Sequence, residues 1–539
     1  MLDLALIEKL AVRPGPTGRF LERISDGTPL SIQADTAWEL CHRLTREEAL
    51  HYLDTRASQG FNVILTVLVP ELDIRAEDRI AFGPDGVQIH NVVDTEEHDS
   101  LFHPNRYGEV TFVNDDPNQP NEKYFEHVDW VIQQAAERGI LIAIVPTWSK
   151  FANKGWTAGP VIFDNDSARS YGRFLGERYP FLPKVLGGDS NPFWFANGGA
   201  DIWKRLRAGG RDPYDEPLPR IDDLPTAESH DVWEAMAEGI LASEAGAWNG
   251  RGKPLITYHP TAVWLPNGPP AIASAFFPKA DWLAFDGCQS GHADFPNLPF
   301  RPAFGWWDSR SSHVALTKMW NTSPTRPILD LESHYEDLHN ALDAKQKWKW
   351  TADDVRAGAW QSVLSGACGV VYGANAVWQM YDPERRKVAP QVKPVCGLDG
   401  EQSWQRSIQL PGPSQVQILT RFIHSLPAEV FHHRQPAQDL LVSSAAPSDR
   451  AERDARIDVM RDVYPDKSST TIIAHSGFGA AFELDLSTFK GAQVRGVWLD
   501  PRTGKRTELA EIAVGPKVQF KPPSSGGVAD DWVLVLTRG

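Results

Sequence analysis

Cysteine is scarce in this chain: Cys41, Cys288, Cys368 and Cys396 are the only four in 539 residues, far apart and without CxxC or Cys/His finger spacing. That excludes a disulfide scaffold and a zinc finger. No GxGxxG follows the first predicted strand, and GxxxxGKS/T, HExxH and the GxSxG elbow are missing altogether. His334 with His339, and His432 with His433, form no closed ligand set, so neither a metal nor any other cofactor is implied. Positive charge is in the minority: 54 Lys and Arg stand against 70 Asp and Glu, giving 54 − 70 = −16. Such a surface repels phosphate backbones and anionic lipids, so nucleic acid and membrane are not expected partners. No window reaches the roughly 20 apolar residues of a membrane span. The opening MLDLALIEKLAV carries Asp3, Glu8 and Lys9 and does not read as a signal peptide. The expected compartment is therefore the cytoplasm, or the periplasm or exterior if an export signal has been removed.

What is present is ample material for a core: 42% hydrophobic residues, 10% aromatics and 20 Trp. Short apolar, β-branched runs alternate with amphipathic ones, the pattern of βα units around a parallel sheet. Strands are expected at 30–36, 61–69, 140–148, 184–189, 255–260, 282–289, 327–332 and 369–375. Between them, Thr45 with Glu48 and Thr351 with Asp354 are spaced as capping boxes, and helices are expected near 45–57, 121–138, 167–178, 229–245, 311–320 and 351–364. A loop of some fifty residues after the second strand carries His103 and Tyr107, and its length marks it as functional or disordered. Eight strands with helices between them are the count of a (β/α)8 TIM barrel. A doubly wound sheet is the alternative, without its glycine signature.

Residues 1–30 contain an Asp26-Gly27 turn and are expected to form a hairpin at the barrel entrance. The barrel is assigned 31–398. From 399 to 539 runs such as SQVQILTRF, TTIIAHS and DWVLVLT alternate apolar and polar residues, the texture of an antiparallel β-sandwich.

Active sites of such barrels lie at the C-terminal ends of the strands. In chain order those ends offer Asp35 and Trp38; Glu71; Trp148; Asp189 and Asn191; His259; Gln289 and His292; Tyr335 and Glu336 after Glu332; and Tyr372, Asn375, Trp378 and Gln379, with Tyr107 in the long loop. Carboxylates, amides, indoles and phenols without a thiolate or a basic phosphate clamp describe a carbohydrate site, where rings stack on the sugar and two carboxyls cleave the bond. A carboxyl separation of about 5–5.5 Å gives retention of configuration and about 6.5–9.5 Å inversion. Read singly, Asp189 after two glycines could be a turn carboxylate, and Trp148, Tyr372 and Trp378 core rings.

The segments at 34–73, 120–140, KVLGGDSNP (184–192), LDLESHYED (329–337) and GANAVWQMYDP (373–383) resemble the apiosidase-like glycoside hydrolases, glycoside hydrolase family 140 and its relatives. VWLDPRTGK (497–505) is similar to the sandwich that follows this barrel, a domain family named for collagen binding. The resemblance implies a retaining glycosidase that releases apiose from pectic side chains, with Asp189 as acid/base and Glu332 as nucleophile. Glu336 is the competing nucleophile. Two other readings stay open: a glycosidase of the same fold acting on an arabinofuranoside or uronide, and a non-catalytic carbohydrate-binding protein.

Overall fold

The computed structural model describes residues 2–70, 72, 80–81, 88–90, 100–155, 160–195, 226–262, 270–292, 312–340, 349–388, 402–446 and 456–538. Eight short parallel strands make the barrel: β1 Ile32–Thr36, β2 Val63–Val69, β3 Leu141–Thr147, β4 Lys184–Leu186, β5 Ile256–Tyr258, β6 Asp286–Gln289, β7 Ile328–Glu332 and β8 Gly369–Tyr372. Six of them hydrogen-bond in the order β5-β4-β3-β2-β1-β8, and β6 pairs with β7. The circuit closes through Ala284 N–H donating to Ile256 O (2.9 Å) and Cys368 N–H donating to Ile328 O (2.9 Å). Every residue of β2 and β3 is buried, because the barrel interior covers one face and helices the other.

The helices start where side chains cap them. In α1, Arg46–Ser58, Thr45 Oγ1 accepts from Glu48 N (3.2 Å) and Glu48 Oε2 from Thr45 N (2.7 Å). The helices α2 Glu122–Glu137, α3 Asn165–Arg178, α4 His230–Trp248, α5 Ser312–Trp320 and α6 Ala352–Leu364 follow their strands, and Thr351 with Asp354 caps α6 in the same way.

Two expectations are corrected. The N-terminal segment is a helix, Leu4–Leu10, and a three-stranded meander over 12–14, 21–23 and 29–30. Its Val12 and Leu21 line an apolar cavity with Ile32, Val63, Leu141 and Leu255, residues at the N-terminal ends of the strands. It forms the barrel's floor, opposite the mouth. The stretch SQVQILTRF is not a strand but part of α7, Gly412–His424. Over its full length the buried Val416, Leu419, Thr420 and Ile423 recur at helical spacing.

The C-terminal part consists of two antiparallel sheets. One runs in the order 434–436, 457–462, 471–476, 532–538, 493–499, 506–508, and the other 441–444, 482–484, 518–520. Strand 471–476 is buried on both faces: Ile472 and Ala474 join the sandwich core with Phe482 and Trp498, whereas Ile473 joins the barrel core with Trp360 of α6.

Candidate active site

The mouth is shaped first by β4. Beyond Leu186 the chain turns through three left-handed residues in succession, Gly187 (φ 94°), Gly188 (φ 73°) and Asp189 (φ 55°). A Cβ on Gly187 would stand 2.7 Å from His259 O, and one on Gly188 3.0 Å from Trp148 Cα. Only glycine permits both the conformation and the approach. Asp189, held in a conformation unfavourable by about 1–2 kcal/mol for an L-residue, is thereby placed at the mouth and keeps partial access to solvent.

Glu332 is the last residue of β7 and is 5% exposed. Strict alternation from Leu329 and Leu331, which line the barrel interior, would aim it outward. The register with β6 slips by one residue here, Cys288 facing Asp330 but Gln289 facing Glu332, and such a bulge re-aims a strand-end side chain. His292 Nε2 lies 2.7 Å from Glu332 Oε1, and His259 Nε2 lies 3.1 Å from Oε2.

The two carboxyls are driven apart. Burial, then the charge of Glu332, raises Asp189 to about 8 against the pull of His259, Gln289 and Thr261. Burial would raise Glu332 too, but its contacts with His259 and His292 prevail and hold it at about 2. Such a split is how one environment provides a protonated acid beside a carboxylate.

Around this pair stand aromatic rings. Trp38 lies 5.2 Å from Trp148 between ring centroids, and His259 6.1 and 6.2 Å from the two indoles. Trp38 Nε1–H donates to Tyr335 Oη (3.1 Å), and the Tyr335 ring lies 4.4 Å from His292 and 6.3 Å from Trp378. The structure therefore gathers Asp189, Glu332, Trp38, Trp148, His259, Gln289, His292 and Tyr335, with Trp378 at the edge. Thr261, which touches Asp189, escaped the sequence reading because it lies two residues beyond His259, past the strand end; extending each strand-end inspection by one turn finds it.

Other expected site residues are placed elsewhere. Asp35 is fully buried behind β1, accepting from Arg56 Nε (2.7 Å) and Tyr52 Oη (2.5 Å). Ile32 and Ala34 line the barrel interior, so Gln33 and Asp35 face the helices by alternation. Glu336 joins the same outer layer: it accepts from Tyr372 Oη (2.7 Å) and from Gly412 N (3.0 Å) at the start of α7. Gln379 Nε2 donates to Asn375 O (3.0 Å), and Asn375 Oδ1 accepts from Trp378 Nε1 (3.3 Å), an inner support for that indole. The carbonyl of buried Asn191 accepts from Asn153 Nδ2 (2.9 Å). Tyr107 is 45% exposed, its hydroxyl accepting from Arg46 N (2.7 Å) at the start of α1. Glu71 lies outside the described residues. Among the described residues no group of three or more His, Cys, Asp or Glu is arranged to hold a metal ion.

Comparison with known proteins bears on this arrangement. Residues 436–537 match the family described as "Putative collagen-binding domain of a collagenase". No curated protein matches the chain. Among solved structures it is similar to a glycoside hydrolase family 5 protein from Bacteroides vulgatus, at TM-score 0.71 and 22% identity, covering 98% of this chain and 94% of that one. Another, described as a glycoside hydrolase, has TM-score 0.67 and 23% identity over 98% and 97% of the two chains. At that identity they establish the shared barrel-and-sandwich fold. Residues 16–429 match the model "Apiosidase-like, catalytic domain", so the chain belongs to the apiosidase-like family and is an O-glycosyl hydrolase acting on carbohydrate.

Proposed function

We propose that this protein is a retaining glycosidase that removes a terminal pentose, apiose, from a plant pectic side chain or a related glycoside. The opposite displacement of the two carboxyls carries the reading: Asp189, raised to about 8, is protonated at neutral pH, and Glu332, held at about 2, is ionised. Asp189 gives its proton to the leaving oxygen while Glu332 attacks the anomeric carbon. In the second step Asp189 takes a proton from water, whose oxygen displaces Glu332. Trp38, Trp148 and Tyr335 supply ring faces to one sugar, and the family resemblance supports apiose as that sugar.

The test is a panel of aryl glycosides with the initial anomer followed by NMR. Cleavage of the apioside with retention is expected; release of an inverted product, or an inert apioside beside a cleaved arabinofuranoside or uronide, would redirect the reading. Glu332→Ala supplied with azide should yield a glycosyl azide of inverted configuration, which only loss of the nucleophile explains.

A further inference from the structure

We propose that His259 is a resident imidazolium that serves as counter-ion first to Glu332 and then to Asp189, as the two carboxyls exchange ionisation during the reaction. The proposal rests on the glycosidase reading above. It starts from the two ends of one fully buried ring. Nδ1 lies 3.0 Å from the Pro260 carbonyl oxygen. A carbonyl only accepts, so Nδ1 carries a proton. Nε2 lies 3.1 Å from Glu332 Oε2. The contact is an ion pair by distance and not a directed hydrogen bond: a neutral ring would leave this buried carboxylate oxygen without a compensating partner, whereas a doubly protonated ring sets a positive charge beside it. The other oxygen of Glu332 is already occupied by His292 at 2.7 Å.

The groups facing His259 come from four sides. Glu332 arrives from β7, as does the buried carboxyl of Asp330, held by Ser290, and Asp189 comes from the turn after β4, while Trp38 and Trp148, beyond β1 and β3, present rings without charge. Burial opposes a charged imidazole here, and the Glu332 contact, the Asp189 charge and the Pro260 carbonyl together outweigh it.

The charge count then closes at each step. At rest Asp189 is neutral, Glu332 negative and His259 positive. In the first step the glycosidic C–O bond breaks, its oxygen takes the proton of Asp189, and Glu332 bonds the anomeric carbon. Asp189 is now the anion, Glu332 a neutral ester, and the imidazolium has changed partners without moving. Hydrolysis reverses the assignment as water's proton passes to Asp189 and Glu332 departs as carboxylate. A positive charge that acts on both alternating anions keeps the sum over these three groups at zero at either stage.

Histidine-selective 15N NMR of the full chain, with His259 assigned by the His259→Gln difference, tests the proposal. Both ring nitrogens should be protonated at neutral pH in the free enzyme and in a fluoroglycoside-trapped intermediate. In Glu332→Gln the titration midpoint of His259 should fall by about 1–3 pH units. A singly protonated His259 at neutral pH, or a midpoint unmoved by Glu332→Gln, overturns it. In His259→Gln, kcat should fall about 10²-fold. Asp189, deprived of its positive neighbour, should carry the alkaline limb of kcat/KM to higher pH; an unmoved limb assigns His259 a packing role only. Inertness toward every glycoside would defeat the glycosidase reading whatever His259 does, whereas turnover with a neutral His259 would defeat this proposal alone.

Discussion

His292 Nε2 stands 2.7 Å from Glu332 Oε1, which leaves the carboxylate bound at one oxygen by this imidazole and approached at the other by His259. The consequence for pH dependence follows from which carboxyl titrates within the working range. Glu332, held at about 2, stays ionised throughout, and the proton that matters is the one on Asp189, raised to about 8. The pH profile of kcat/KM should be level between about pH 5 and 7 and fall tenfold per unit well above the Asp189 value. A profile that rises through pH 8 would reverse the assignment of acid and nucleophile.

Asp189→Asn separates activity from stability. Turnover on substrates with poor leaving groups should drop about 10²–10⁴-fold, with less loss where the leaving group needs no protonation. Asn tolerates the left-handed backbone as Asp does. The raised Asp189 favours the fold only while protonated: its contribution is complete below the unfolded value of 3.8 and is lost as pH rises toward about 8. The Asn variant has no such loss, so its stability advantage over the parent should grow across that window to about 1 kcal/mol, reduced by the partial solvent access of the group. Denaturant melts at pH 4 and pH 8 measure it.

Gly188→Ala should damage the site through the backbone. The added Cβ would lie 3.0 Å from Trp148 Cα and 3.1 Å from Thr147 O, at a φ of 73°. A loss of about 2–3 kcal/mol is expected, with kcat falling more than KM rises, because Asp189 is displaced along with the turn. Thermal denaturation and steady-state kinetics on the same preparation check both.

Asp531→Ala should loosen the two halves of the chain from each other. Arg356 of α6 meets Asp531 of the sandwich at 2.7 Å, both side chains fully buried, and His475 Nε2 lies 3.1 Å from the second oxygen. Asp353 and Gln415 also accept from Arg356, so the guanidinium is not left bare. A loss of about 3 kcal/mol is expected, the lower end for a broken buried pair. Calorimetry should show the single transition splitting or moving down.

Much of the fold was legible because its signals are local. The two capping boxes appear as written, and the βα alternation yields eight strands in the right places. Where the reading went astray, a longer range decided. SQVQILTRF alternates over four residues, but the thirteen residues of Gly412–His424 that contain it read as a helix, and Pro413 at the start of α7 is the local cue. The strand-end position of Asp35 points to the mouth, whereas the apolar Ile32 and Ala34 reserve the inner face of β1 and turn Asp35 outward. Glu336 could not be placed from its neighbours, since Gly412, which donates to it, is 76 residues away. Asp189 and Glu332 are visible as strand-end acids; the bulge that aims Glu332 and the Pro260 carbonyl that accepts from His259 Nδ1 are properties of the folded backbone.

Strand 471–476, enclosed between two cores, ties the fate of the catalytic half to that of its companion. Severing the chain near residue 435 would strip Met460, Ile473 and Val533 from the apolar flank of the cylinder they complete. Such an exposed flank invites self-association. The companion is in this sense a missing wall of the enzyme, supplied from later in the same polypeptide.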